Sequence, residues 1–183
     1  MGKENSAAGS SAAAAPAPQR SLEAGVNPND APDQFCSTLA KRFGVRPTEV
    51  ALLRLEKGLL KFLFPDELKT AGAIPVSSSS AVAAHTAATR KVELFNAFAK
   101  VKHASIFETV KLGKRDDSDR SEQASIQKLM SAPVLSSDRK VLGVLQICRK
   151  GFDTATAGPD FTLDDLQLLE VAARLAATMQ FLK

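Results

Sequence analysis

The stretch GPDFTLDDLQLLEVAARLAATMQ, beginning at Gly158, carries more apolar surface than a helix lying on a single core can use. An amphipathic surface helix needs an apolar stripe roughly 100° wide. At about 100° per residue, Leu166, Leu168, Leu169, Val171, Ala172, Ala173, Leu175, Ala176, Met179 and Leu182 sweep well over half the circumference. Gln167, Glu170, Arg174 and Thr178 keep only a narrow polar strip. Such a helix wants two apolar partners, and whatever fold the chain adopts has to supply them. Thr162 stands at its start, where its hydroxyl can cap the first turn, with Asp165 three residues on to complete a capping box and Phe161 placed to staple the entry.

The elements before this helix follow from periodicity and punctuation. Phe35, Leu39 and Phe43 fall at i, i+4 and i+8, one helical face, and Gly44 is the stop signal. EVALLRLEKGLLKFLF reads as two strands joined at Glu56-Lys57-Gly58, with Gly58 free to take a positive φ. PDELKTAGAIPVSSSS reads as loop, and AVAAHTAAT as a short helix that one of the serines could cap. KVELFNAFAKVKHASIFETV has no clean period and reads as an irregular, half-buried stretch leading into a strand at 105–110. ASIQKLMSAPVL and KVLGVLQICRKG read as two strands flanking the turn SSDR. Their neighbouring apolar residues predict a sheet covered on both faces. Gly143 lets another element approach closely, and Pro133 requires an edge or a bulge. The order predicts an α+β fold with a mostly antiparallel sheet.

Residues 1–31 differ in character. They hold almost no large apolar side chains, are rich in Ala, Ser and Pro, and are expected to form a disordered leader ahead of one domain at 32–183. MGKENS fits the loose M-G-x-x-x-[ST] acylation pattern, which by itself supports no lipid anchor. No apolar run is long enough to cross a membrane. The formal charge is +4, with cations and acids interspersed, and all 10 aromatic residues are Phe. That pattern disfavours nucleic acid as a partner. Cys36 and Cys148, far apart and without metal-ligand spacing, suggest neither a disulfide framework nor a zinc site and fit a reducing cytoplasm. No phosphate loop, GxSxG elbow or HExxH motif is present. No catalytic residue and no cofactor are assigned.

Ser131-Ala132-Pro133-Val134, then Gly143-Val144-Leu145-Gln146, then Phe161-Thr162 with Asp165-Leu166 and Leu168-Leu169, resemble the second half of a GAF domain. The element order from Pro32 onward is similar as well. The resemblance implies a sheet of five to six strands with the N- and C-terminal helices together on one face. A short helix and loops then roof a small-molecule pocket on the other. It implies pocket-lining roles for Phe95, Asn96, Phe98, Lys102 and His103, joined by His85 and Gln146. Arg90, Lys91, Lys100, Lys102 and His103 would favour an anionic ligand. It also implies a homodimer through the terminal helices, with Leu166, Leu169, Ala173, Ala176, Phe35 and Leu39 at the interface. The alternative destination for that stripe is the helix from Phe35 to Phe43 within the same chain.

Cyclic-nucleotide-binding members of the family carry Asn-Lys before a loop, then Phe, three residues and Asp-Glu. Here Arg149-Lys150, Phe161 and Asp165-Leu166 keep half of that pattern, the half that helix capping also explains. Bilin attachment needs a positioned cysteine, and haem or iron needs ligands near His85 or His103. Sulfoxide-reductase members rely on several clustered cysteines. None of these is met. The expected function is a non-catalytic sensory or regulatory module that binds a small molecule, signals to a separate partner protein and needs no metal. The alternative is an interaction or dimerisation module whose pocket has collapsed around Phe95 and Phe98.

Overall fold

The hairpin expected at Lys57-Gly58 is the seed of the sheet. Strand β1 (Val50–Glu56) pairs antiparallel with β2 (Leu59–Phe64), and Lys57 (φ 49°) with Gly58 (φ 80°) supplies the two left-handed residues that a tight hairpin turn needs. In the computed structural model, Leu22, residues 25–100 and residues 124–183 are described. Beyond β2 the sheet adds β3 (Ala73–Pro75); on the other side of β1 lie β6 (Val141–Gly151), β5 (Ser125–Leu135) and β4 (Glu93–Phe95). The strand order is β3-β2-β1-β6-β5-β4, and every pairing is antiparallel.

Among the described residues there are three α-helices: α1 (Pro32–Phe43), α2 (Val82–Thr89) and α3 (Leu163–Ala176). Two apolar clusters share the sheet. Helices α1 and α3 join Val50, Leu52, Met130, Ala132, Leu145 and Ile147 on one face. Helix α2 joins Ala51, Leu53, Leu129, Val144, Cys148 and Phe98 on the other. The architecture is therefore α+β, three layers, with the terminal helices on one side and the short helix on the other.

The wide apolar surface of α3 is absorbed within one chain. Leu169, Val171, Ala172, Ala173 and Ala176 enter the same cluster as Phe35, Leu39 and Phe43 of α1. The helix itself is shorter than its apolar pattern implies. It ends at Ala176, and Met179 and Leu182 reach the core from a separate 3-10 turn, Gln180–Leu182. Thr178 Oγ1 donates to the Leu175 carbonyl (2.7 Å), a local bond that competes with helix continuation. Packing also begins before Pro32: Leu22 is buried in this cluster, and the Gln180 N–H donates to the Pro28 carbonyl.

Several local expectations hold. Thr162 caps α3, accepting from the Asp165 N–H, while Asp165 accepts from the Thr162 N–H (2.8 Å). A Cβ on Gly143 would lie 2.0 Å from the Leu53 carbonyl oxygen of β1, so only glycine fits there. Pro133 sits on β5 just past the last residue paired with β4, Ser131.

Other expectations do not hold. Residues read as loop and as irregular chain contain β3 and β4, whose three residues each are too short to show an alternating pattern. The residue preceding α2 is Ala81, and no side chain caps that helix; Ser78 and Ser80 bond to each other instead. The strand expected at 105–110 lies outside the described residues.

Strand β5 carries a register shift between Ile126 and Lys128. Ile126, opposite Lys150, belongs to the α2-side cluster. Lys128, opposite Arg149, turns toward the α3 side, where its ammonium donates to the Gly158 carbonyl and pairs with Asp160 (2.7 Å). Gln127 is the inserted residue, its side-chain amide held by the Gly151 carbonyl (3.2 Å).

Candidate functional site

The sheet face under α2 is mostly apolar, with buried Lys150 near one end and a polar row across its middle. Register aligns Glu93 of β4, Ser131 of β5, Gln146 of β6 and Ala51 of β1 across four strands. Thr86 descends onto that row from α2. Its hydroxyl lies 2.7 Å from Ser131 Oγ and donates to Glu93 Oε2 (2.7 Å), while Gln146 Nε2 donates to Ser131 Oγ (3.2 Å). Each hydroxyl has a single hydrogen. With the Thr86 hydrogen committed to the carboxylate, Ser131 must donate to Thr86 and Gln146 to Ser131. The chain of donors runs one way, from Gln146 through two hydroxyls to Glu93. His85 extends it, with Nδ1 2.9 Å from Glu93 Oε1.

Thr86 and Ser131 are fully buried and Gln146 nearly so. Such groups persist in an apolar layer only when mutually satisfied. Neither hydroxyl is poised as a nucleophile, since each is enclosed and already engaged.

Of the residues expected to line a pocket, His85 and Gln146 are the two ends of this relay. Phe98 is buried among the α2-side residues, and its ring meets Phe95 edge-on at 6.0 Å. Asn96 is used differently. Its amide donates to the Phe161 carbonyl and accepts the Phe161 N–H, both at 2.9 Å, tying the end of β4 to the entry of α3. Lys102 and His103 lie outside the described residues. Thr86, Ser131 and Glu93 were missed by sequence reading. The available signal was a lone hydroxyl inside an apolar strand, Ser131, and another inside an alanine-rich helix, Thr86.

The residues expected to face a second subunit are mostly spent inside the chain. Phe35, Leu39, Leu169 and Ala176 are fully buried and Ala173 nearly so, leaving Leu166 alone of the six with part of its surface free. The apolar cluster around α1 and α3 closes over them within the chain. Arg90 and Lys91, expected to favour an anion in the pocket, point instead to a groove on the α3 side, beside Ala132 and Arg174.

The Arg149-Lys150 pair has structural work. The Arg149 guanidinium donates to the Phe43 and Gly44 carbonyls at the end of α1 and lies 4.8 Å over the Phe161 ring. The Lys150 N–H donates to the buried Glu49 carboxylate (2.7 Å), which Arg46 also holds at 2.6 Å. Burial by itself would push the Glu49 carboxyl up. The bonds from the Arg46 side chain and N–H and from the Lys150 N–H outweigh it and hold the group below its usual range. Cys36 and Cys148 are buried in opposite clusters, and burial, with the Asp33 charge added, pushes the Cys36 thiol far up. Among the described residues no three His, Cys, Asp or Glu side chains gather where they could hold a metal ion.

A family model described as the GAF domain matches residues 33–179. No curated protein sequence matches the chain. Among solved structures, the GAF domain of a phosphoenolpyruvate-protein phosphotransferase from Acinetobacter is 15% identical, with 88% of this chain and 89% of that one covered and a TM-score of 0.61. The corresponding GAF domain from Coxiella burnetii is 11% identical, covering 88% and 89%, with a TM-score of 0.59. A type II free methionine-R-sulfoxide reductase from Thermoplasma acidophilum is 15% identical, covering 87% and 92%, with a TM-score of 0.52. Likeness at these identities concerns the fold.

Proposed function

Because the chain belongs to the GAF domain family, whose members typically bind small molecules, we propose that it is a non-catalytic sensory or regulatory module that takes a small polar ligand on the α2 face of its sheet. The observation that carries this reading is the relay Gln146–Ser131–Thr86–Glu93, which leads from the buried layer to the partly exposed Glu93 and the exposed His85 beside α2. An apolar enclosure with a few convergent polar groups is the usual make-up of a ligand site. Against carrying over the reductase activity of the Thermoplasma protein stand Cys36 and Cys148, each enclosed and separated from the other by the sheet.

Native mass spectrometry of the freshly purified full chain, set beside its denatured mass, tests the proposal. The expected result is extra non-covalent mass on the wild type and reduced occupancy in Gln146→Leu. A second reading, a closed face whose remaining job is protein interaction, is favoured by Phe98, which lies buried against Ile126 and Leu129. It requires a bare mass for the wild type and no thermal stabilisation by a panel of polar metabolites. That pair of results would overturn ligand binding.

A further inference from the structure

The terminal-helix side carries a second concavity, unconnected with the α2 face. It lies between the far end of β5, the chain leaving α2 and the C-terminal half of α3, and encloses about 1130 Å³. Its floor is apolar and built of buried or half-buried side chains, among them Ala132, Pro133, Leu142, Ala173 and Leu182. Its rim is cationic: Arg90, Lys91, Arg139, Arg174 and Lys183, against the single acid Glu170.

All five cations are exposed, and among the described residues none of them pairs with an acid. Six other cations have acid partners: Arg46 with Glu49, Arg54 and Lys61 with Glu56, Lys69 with Asp66, Lys128 with Asp160 and Lys140 with Asp138. Unpaired cations such as Lys41, Arg42 and Lys57 are exposed elsewhere, but at this trough five stand together against one acid. The field of such a trough attracts anions and concentrates them at its mouth.

Two features select the occupant. At about 1130 Å³ the trough is as large as the roomiest small-molecule pockets, which span about 300–1,000 Å³. One wall is a sheet edge: β4 stops pairing at Ser131, while β5 continues to Leu135. That edge is closed to strand addition, because Ala132 and Val134 are fully buried and Pro133 has no N–H, so recognition falls to side chains on the floor and rim. We propose that this groove docks an extended acidic peptide segment of a partner protein, with apolar side chains on the floor and carboxylates on the Arg90–Lys91–Arg174 rim.

Fluorescence anisotropy of the full chain with a short fluorescein-labelled peptide of alternating Glu and Leu tests it. Lys91 and Arg174 are the positions to reverse, because Arg90 and Arg139 occupy left-handed backbone (φ 56° and 62°) where substitution would confuse charge with strain. Binding is expected at low salt, weakening as salt screens the rim, and falling about tenfold or more in Lys91→Glu/Arg174→Glu. Lys91→Gln/Arg174→Gln should lose less. Lys41→Glu/Arg42→Glu makes the same change in net charge at the opposite end of β6 and should bind like the wild type. Absence of binding at low salt, or equal loss in the Lys41/Arg42 variant, would overturn the proposal. So would displacement of the peptide by polyphosphate or single-stranded DNA at lower concentrations than unlabelled peptide, which would make the groove a general polyanion site.

Discussion

At the scale of single residues, Glu49 shows most clearly how environment decides chemistry. Its side chain is 6% exposed, yet three donors hold it ionised. With its carboxyl below the unfolded value, the group contributes stability that is fully present above that value, near pH 4.5, and is lost as pH falls through the folded one. Glu49→Gln should therefore cost about 2 kcal/mol at neutral pH, moderated because Arg46 is half exposed. Urea unfolding at neutral pH and again in acid would check this. The gap between the two proteins should shrink in acid; a constant gap would show that packing, not charge, was lost. Glu49 attracts no notice in the sequence, because Arg46 three residues away looks like an ordinary surface pair and the Lys150 N–H meets it only after β6 returns beside β1. The relay is hidden for the same reason. Gln146 was singled out, but Ser131 and Thr86 gain meaning only when register and the descent of α2 bring them together. Asn96 was singled out for a ligand, yet its amide answers the backbone of Phe161, a partner 65 positions away.

Elements were legible in proportion to their length and their caps. Helix α1 was readable because Phe35, Leu39 and Phe43 share a face and Gly44 follows. The β1–β2 and β5–β6 hairpins were readable because turn residues interrupt apolar runs. Strands β3 and β4 gave no signal, being edges of three residues each whose pairing comes from the neighbouring strand rather than from their own pattern. Helix α3 announces its start in Thr162 and Asp165, and both hydrogen bonds of that box form. Thr162→Ala should lower the unfolding free energy by about 1 kcal/mol. Hydrogen exchange should show faster opening confined to the first turn of α3; unchanged exchange there would mean that Phe161 and Asn96 anchor the turn without the cap.

For the whole molecule, the width of the apolar surface on α3 had pointed to a second copy or to the helix from Phe35 to Phe43, and that helix takes much of it. A stable interface removes about 800 Å² from each partner. Among the described residues the large exposed apolar side chains are three, Leu59, Phe152 and Leu163, borne on β2, the chain after β6 and α3. The full chain of 19.4 kDa should therefore sediment as a monomer at micromolar concentration. A dimer whose stability fell in Leu163→Ser would instead assign the exposed start of α3 to contact. The two-sided sheet also sets where the chain can change length. Every residue of β6 is committed to one face or the other, so one residue more or less would send Gln146 among the helices and Leu145 into the relay. In β5 the bulge at Gln127 already absorbs such a step, between Ile126 on one face and Lys128 on the other. Relatives of this chain that have gained or lost a single strand residue are the ones expected to differ at Gln127, while β6 keeps its count.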